Sequence, residues 1–193
     1  MFSIVLADPP WAYNQRAPHA KTRFGGGVSQ EYPLMTDREI YELGQFLRPV
    51  LEPDCVLFLW ATWPKLDIGL RAMAEWGFKY STAAFVWEKT TKTGEPATGP
   101  GFWTASNTEP VLLGYRGKTL PVARRLINQV VRAPRGRHSA KPPEIHRRIE
   151  EMFGPGPLRL ELFGRQAVPG WIVLGNEVTG QDIRDDLLIL GDA

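Results

Sequence analysis

The stretch Phe2-Ser3-Ile4-Val5-Leu6-Ala7-Asp8-Pro9-Pro10-Trp11 decides how the rest of the chain is read. Its first part is a short, nearly continuous apolar run, the pattern of a strand buried on both faces in a parallel sheet. The run stops at an acid followed by two prolines, which cannot continue a sheet ladder. In open α/β sheets, ligands bind outside the carboxyl ends of the strands. Asp8 and its neighbours therefore stand where such a fold places its chemistry.

Beyond the prolines, residues 12–35 carry Gly25-Gly26-Gly27 and several charges without any period, which reads as a long functional loop. Thr36 and Glu39 have the capping-box spacing and open a helix. A strand is expected over Cys55 to Ala61, a helix from Leu66 to Trp76 stopped by Gly77, and strands over Ala83 to Lys89 and Glu109 to Tyr115. Ile145, Ile149 and Met152 share one face of a helix from Glu144 to Phe153, entered through Pro142-Pro143. Leu158 to Phe163 and Trp171 to Leu174 read as further strands, each ending in a glycine-containing turn. Strands alternating with helices predict an α/β fold with a mostly parallel, doubly wound sheet flanked by helices.

At 193 residues and 43% hydrophobic content, the chain suffices for one core and not for two ordinary domains with a linker. We expect residues 1–193 to form one domain. Cys55 is the single cysteine, so no intrachain disulfide forms, and its apolar neighbours predict burial. No run approaches the ~18 apolar residues of a membrane span, and Met1 to Asp8 lack the form of a signal peptide. A cytoplasmic protein with no membrane association is the expectation. The net charge of +2 hides an uneven distribution: ten Lys or Arg against one acid, Glu144, between Arg116 and Arg148, and five acids against Arg184 alone from Glu177 onward. Folded onto one side, the basic segment forms a face for phosphates; the bland alternative is a solvated loop.

Asp-Pro-Pro-Trp suits methylation of an exocyclic aromatic amine. The N6 nitrogen of adenine is a poor nucleophile because its lone pair is delocalised into the ring. Two fixed acceptors can localise that pair by taking the two N–H hydrogens. Asp8 supplies a carboxylate, and the Pro9 carbonyl, held by the restricted backbone of Pro9 and Pro10, is the natural second acceptor. Trp11 offers a face for an extruded base, and such stacking contributes about 1–3 kcal/mol. A sulfonium methyl donor is already electrophilic, so positioning matters more than a strong base. The alternative is a capped strand end with a proline turn and a half-buried tryptophan.

In these blocks the sequence resembles the MT-A70 family of N6-adenine methyltransferases, over nearly the whole chain. The matching segments are Asp8 to Trp11, Tyr32-Pro33-Leu34-Met35-Thr36, Phe58-Leu59-Trp60, Trp76-Gly77-Phe78 and Trp87-Glu88-Lys89. Further on they are His138-Ser139-Ala140-Lys141-Pro142, Glu161-Leu162-Phe163-Gly164-Arg165 and Trp171 to Glu177. The resemblance implies a permuted Rossmann-like methyltransferase in which the catalytic motif precedes the first cofactor strand, Glu161 to Arg165. It implies S-adenosyl-L-methionine as cofactor. Arg165, Asn176 and Glu177 would surround its ribose and adenine, and Asp8 would serve both its amino group and the target amine. Ser139 and Lys141 would either meet its carboxylate or cap the following helix and add to the basic face. For substrate contact the expected residues are Tyr32, Trp11, Lys89, Arg135 and Arg137, with DNA favoured over RNA by likeness to compact phage and bacterial members. A homodimer is left open.

The chain departs from the animal catalytic members at three places. Gln166-Ala167-Val168-Pro169-Gly170 lacks their His-Asn pair, and Thr108 stands where they have a lysine. Their Asp-Ile-Arg segment upstream of the catalytic motif occurs here as Asp182-Ile183-Arg184, either the start of a terminal helix or an adenine contact supplied from the other end of the chain. Other chemistries fit less well. Cys55 follows Asp54 rather than a proline loop, against a cytosine C5-methyltransferase. The glycine loop lacks the Gly-Lys-Ser/Thr ending of a phosphate cradle. His19, His138 and His146 show no metal-ligand spacing. A catalytically silent binding subunit remains the rival, against which the intact tetrapeptide counts.

Overall fold

The apolar run that opens the chain forms an inner strand of a sheet. In a computed structural model that describes residues 1–12, 34–99, 103–136 and 140–192, β1 (Phe2–Ala7) lies between β2 (Leu51–Trp60) and β6 (Arg159–Leu162), parallel to both. Side chains alternate across a pleat. Val5 and Ala7 therefore enter one core with Leu57 and Leu59, while Ile4 and Leu6 enter the other with Val56 and Phe58. A strand covered on both faces has no solvent face to carry polar residues, which is why the run is continuous.

Four more strands, β3 (Lys79–Thr90), β4 (Thr108–Arg116), β5 (Val130–Pro134) and β7 (Ile172–Leu174), complete a seven-stranded sheet in the order β5-β3-β4-β2-β1-β6-β7. The sheet is mostly parallel, but β4 runs antiparallel to both β2 and β3. That inversion brings the start of β4, with Glu109, to the edge where β1 and β2 end. β5 was not expected. Val130-Val131 is too short a run, beside Arg132 and Pro134, to stand out from the basic segment, and only pairing with β3 makes it a strand.

One face is covered by α1 (Asp37–Glu42), α2 (Gly44–Leu47), α3 (Leu66–Glu75) and α6 (Ile183–Gly191), the other by α4 (Glu144–Phe153), and the single turn α5 (Asn176–Thr179) follows β7. The local signals hold. Thr36 and Glu39 form the complete capping box of α1. After α3, Gly77 takes φ 88°, with its N–H on Ala74 O and the Phe78 N–H on Met73 O. These are the two bonds of a Schellman stop. No helix among the described residues is long and apolar enough to cross a membrane.

Candidate active site

A cleft of about 420 Å³ opens at the carboxyl ends of β1, β6 and β7. Its size falls in the ~300–1,000 Å³ range of small-molecule sites. The 8–11 turn with Met35 forms one wall, Glu109 and Lys141 with Ala61 and Thr62 a second, and segments 163–165, 175–177 and 180–183 the rest. The turn is clamped by backbone hydrogen bonds. Asp8 N–H donates to Leu162 O (3.3 Å), Trp11 N–H to Pro9 O (2.9 Å), Met35 N–H to Pro10 O (3.0 Å) and Ala12 N–H to Met35 O (3.3 Å). Pro9 O thus already accepts one hydrogen bond and keeps a second lone pair. Trp11 is only 6% exposed, and its Nε1–H finds no partner among the described residues. It also lines the cleft.

Charge in the cleft centres on Lys141, whose ammonium lies 2.9 Å from Asp8 Oδ2 and 3.5 Å from Glu109 Oε2. It also stands 5.2 Å from the centre of the Trp60 ring. Burial pushes the Asp8 carboxyl above the usual carboxylate value; Lys141 opposes this, Glu109 adds to it and Arg165 opposes it more weakly. Burial disfavours the charged form of Lys141, but Asp8 and Glu109 together outweigh it and hold the ammonium above its ordinary value.

At the other end of the cleft, β6 and β7 end backbone against backbone. A Cβ on Gly175 would lie 2.2 Å from the Gly164 carbonyl oxygen, and one on Gly164 would lie 2.2 Å from Val173 Cγ1. The φ of Gly175, 165°, is extended backbone open to any residue; the close approach alone demands glycine. Beside this cradle, Arg165 Nε lies 3.5 Å from Glu177 Oε1, and Asn176 lines the cleft. Asp182 caps α6, accepting from Arg184 N–H, Nε–H and Nη2–H at 2.8 Å each. The Arg184 guanidinium lowers its carboxyl to about 2. Asp182 and Ile183 thus open the terminal helix, the first of the two alternatives for this segment, and they also line the cleft.

The fold therefore brings together Asp8, Pro9, Pro10, Trp11, Lys141, Arg165, Asn176 and Glu177. Lys89 and Arg135 do not line the cleft. The Lys89 ammonium, expected at the substrate, is held by Glu109 at 2.5 Å and sits 5.4 Å from the Trp87 ring centre. Lys141 does not cap α4; the N-cap is Pro143, with no side-chain bond. Tyr32, Arg137 and Ser139, like His19, His138 and the glycine loop, lie outside the described residues. Much of the basic segment is paired internally. Arg124 binds Glu151, Arg132 binds Glu88, Arg147 binds Glu144 and Glu151, and Arg148 binds Glu144 and the carbonyls of Asn128 and Val130. Two contributors to the cleft were not anticipated from the sequence. Glu109, an acid opening an apolar strand, carried a readable signal, whereas the Gly164–Gly175 contact joins residues that no local pattern links.

An open α/β sheet with an acid–proline turn and a glycine cradle at its carboxyl edge defines a Rossmann-like class of small-molecule site. Comparison with known proteins narrows it. The MT-A70 family model matches residues 2–177, and the chain belongs to this methyltransferase family, whose methyl donor is S-adenosyl-L-methionine. The chain is 32% identical to the type II methyltransferase M.MunI of a Mycoplasma species, over 94% of its own length and 80% of that protein. It is also 32% identical to the N(6)-adenosine-methyltransferase MT-A70-like protein of Drosophila melanogaster, over 97% of its own length and 29% of that protein. The same 32% holds for the human N(6)-adenosine-methyltransferase catalytic subunit METTL3, over 95% and 29%. The chain thus spans most of the Mycoplasma protein and under a third of the two animal ones. The 180–183 wall of the cleft falls beyond the family match.

Proposed function

We propose that the protein methylates the N6 amine of adenine in DNA, with Asp8, Pro9, Pro10 and Trp11 as its catalytic turn. One observation carries this reading: Asp8 stands at the cleft end of β1 with one oxygen held by Lys141 and a proline carbonyl in the same clamped turn. The second carboxylate oxygen of Asp8 accepts one N6 hydrogen, and the spare lone pair of Pro9 O accepts the other. The nitrogen lone pair is thereby turned outward. S-adenosyl-L-methionine, when bound, supplies an electrophilic methyl group. The proton shed after transfer leaves to Asp8, a stronger base here than a free carboxylate, or to water.

The cleft fits that cofactor. Lys141 offers an ammonium to its carboxylate, Asp8 an acceptor to its amino group, and Arg165, Asn176 and Glu177 polar contacts to its ribose and adenine beside the glycine cradle. Asp182 and Ile183 add a wall for the adenine from the far end of the chain. DNA is favoured by likeness to the compact bacterial members; the animal relatives, named for N(6)-adenosine, support RNA as the second reading. Transfer of labelled methyl to unmethylated DNA and RNA in parallel, with nucleoside analysis, decides between them. Label in N6-methyldeoxyadenosine is expected. Label only in N6-methyladenosine would move the substrate to RNA, and none in either, with cofactor still bound, would make the chain a silent binding subunit.

A further inference from the structure

Four charges run in a line from the sheet into the cleft. Lys89 meets Glu109 at 2.5 Å, Glu109 faces Lys141 at 3.5 Å, and Lys141 meets Asp8 at 2.9 Å. Their side chains are between 15% and 25% exposed, so solvent screens them poorly. Two carboxylates compete for Lys141, and the outcome is unequal. Glu109 gives Oε1 to Lys89 at 2.5 Å and only Oε2, at the 3.5 Å limit of a hydrogen bond, to Lys141. Lys141 is left to Asp8.

The strands fix this asymmetry. Glu109 pairs with Trp87 across β3 and β4, and Lys89 N–H donates to Asn107 O at 2.8 Å, so the two members are set by sheet register. Each ammonium also lies beside an indole, Lys89 at Trp87 and Lys141 at Trp60, and the indoles meet edge to face at 6.1 Å. We propose, building on the reaction assigned above, that Lys89 is a positioning residue: by satisfying Glu109 it leaves Lys141 to Asp8 and keeps that carboxylate ionised and aimed into the cleft. Without Lys89, Glu109 draws Lys141 away and Asp8 becomes easier to protonate. Among the described residues, Lys141, Glu109 and Arg165 are the charged groups acting on Asp8, and Lys89 works through the first two.

The test is the Asp8 titration midpoint in the ligand-free chain, followed by NMR of carboxyl-labelled aspartate and assigned by loss of the signal in Asp8→Asn. Lys89→Met is expected to raise the midpoint and Lys89→Arg to preserve it. Adding Glu109→Gln to Lys89→Met removes the competitor and is expected to bring the midpoint back to or below the wild-type value. Methyl transfer near neutral pH should follow the same order, with kcat falling on the order of tenfold in Lys89→Met and recovering in the double variant, while KM for nucleic acid holds. A Lys89→Met midpoint equal to the wild type overturns the proposal, as does a double variant as shifted as the single one. So does a Lys89→Met that only flattens the salt dependence of nucleic-acid binding, the mark of a phosphate contact. Should Lys89→Met not fold, Glu109→Gln alone is expected to lower the midpoint, and a rise refutes the idea equally. The NMR arm needs neither cofactor nor transfer, so a wild type that moves no methyl refutes the proposed reaction and leaves this arm standing.

Discussion

Replacing Gly175 by alanine tests whether the contact between the ends of β6 and β7 builds the cofactor site. The added Cβ would lie 2.2 Å from Gly164 O, 3.0 Å from Gly164 N and 3.1 Å from Phe163 C, all backbone atoms that cannot rotate aside. Real contacts of this kind essentially never fall below 3.0 Å, so the strand ends must part by about 0.8 Å. Overpacking of this degree costs about 1–3 kcal/mol, and in a chain of this size each kcal/mol lowers Tm by about 2–4 °C. The same parting displaces Arg165 and Asn176 across the cleft, and misplacement near 1 Å costs up to about 100-fold in a positioned site. We therefore expect a Tm lower by several degrees and S-adenosylmethionine affinity at least about tenfold weaker, measured by calorimetry beside Gly156→Ala, whose Cβ meets nothing within 4 Å. If Gly175→Ala melts with that control and binds cofactor like the wild type, the cradle argument is wrong.

Asp8→Asn should lower transfer by about 100-fold or more. Burial raises the folded Asp8 carboxyl above the ordinary carboxylate value, so its stabilising contribution is present at acid pH and is lost as pH rises through the folded value. The neutral variant should consequently melt at or above the wild type at neutral pH; a clear drop in Tm would contradict that sign. Trp11→Phe, at a side chain 6% exposed, should raise KM for nucleic acid and lower kcat while sparing cofactor affinity, and a larger loss of cofactor would put the indole at that ligand instead. Burial pushes the Cys55 thiol up to about 12, so it should resist iodoacetamide at pH 8 until the protein is unfolded; rapid alkylation of the native chain would refute its enclosure.

By itself the sequence determined the elements whose signals are local. The run from Phe2 to Ala7 read as a doubly covered strand, Thr36 and Glu39 as a helix cap and Gly77 as a helix stop, because each signal rests on neighbours a few residues apart. The acid and prolines that end β1 made Asp8, Pro9, Pro10 and Trp11 legible as the turn at the sheet's carboxyl edge. Tertiary structure alone decided what those residues face. Lys141 reaches Asp8 rather than capping α4, Lys89 is taken up by Glu109, and Asp182 lines the cleft from the start of the last helix. The direction of β4, which no periodicity encodes, carries Glu109 to this edge, and the pairing of β6 with β7 brings Gly164 under Gly175. Charges and close contacts between residues far apart in the chain act through space, and only the assembled sheet sets those distances.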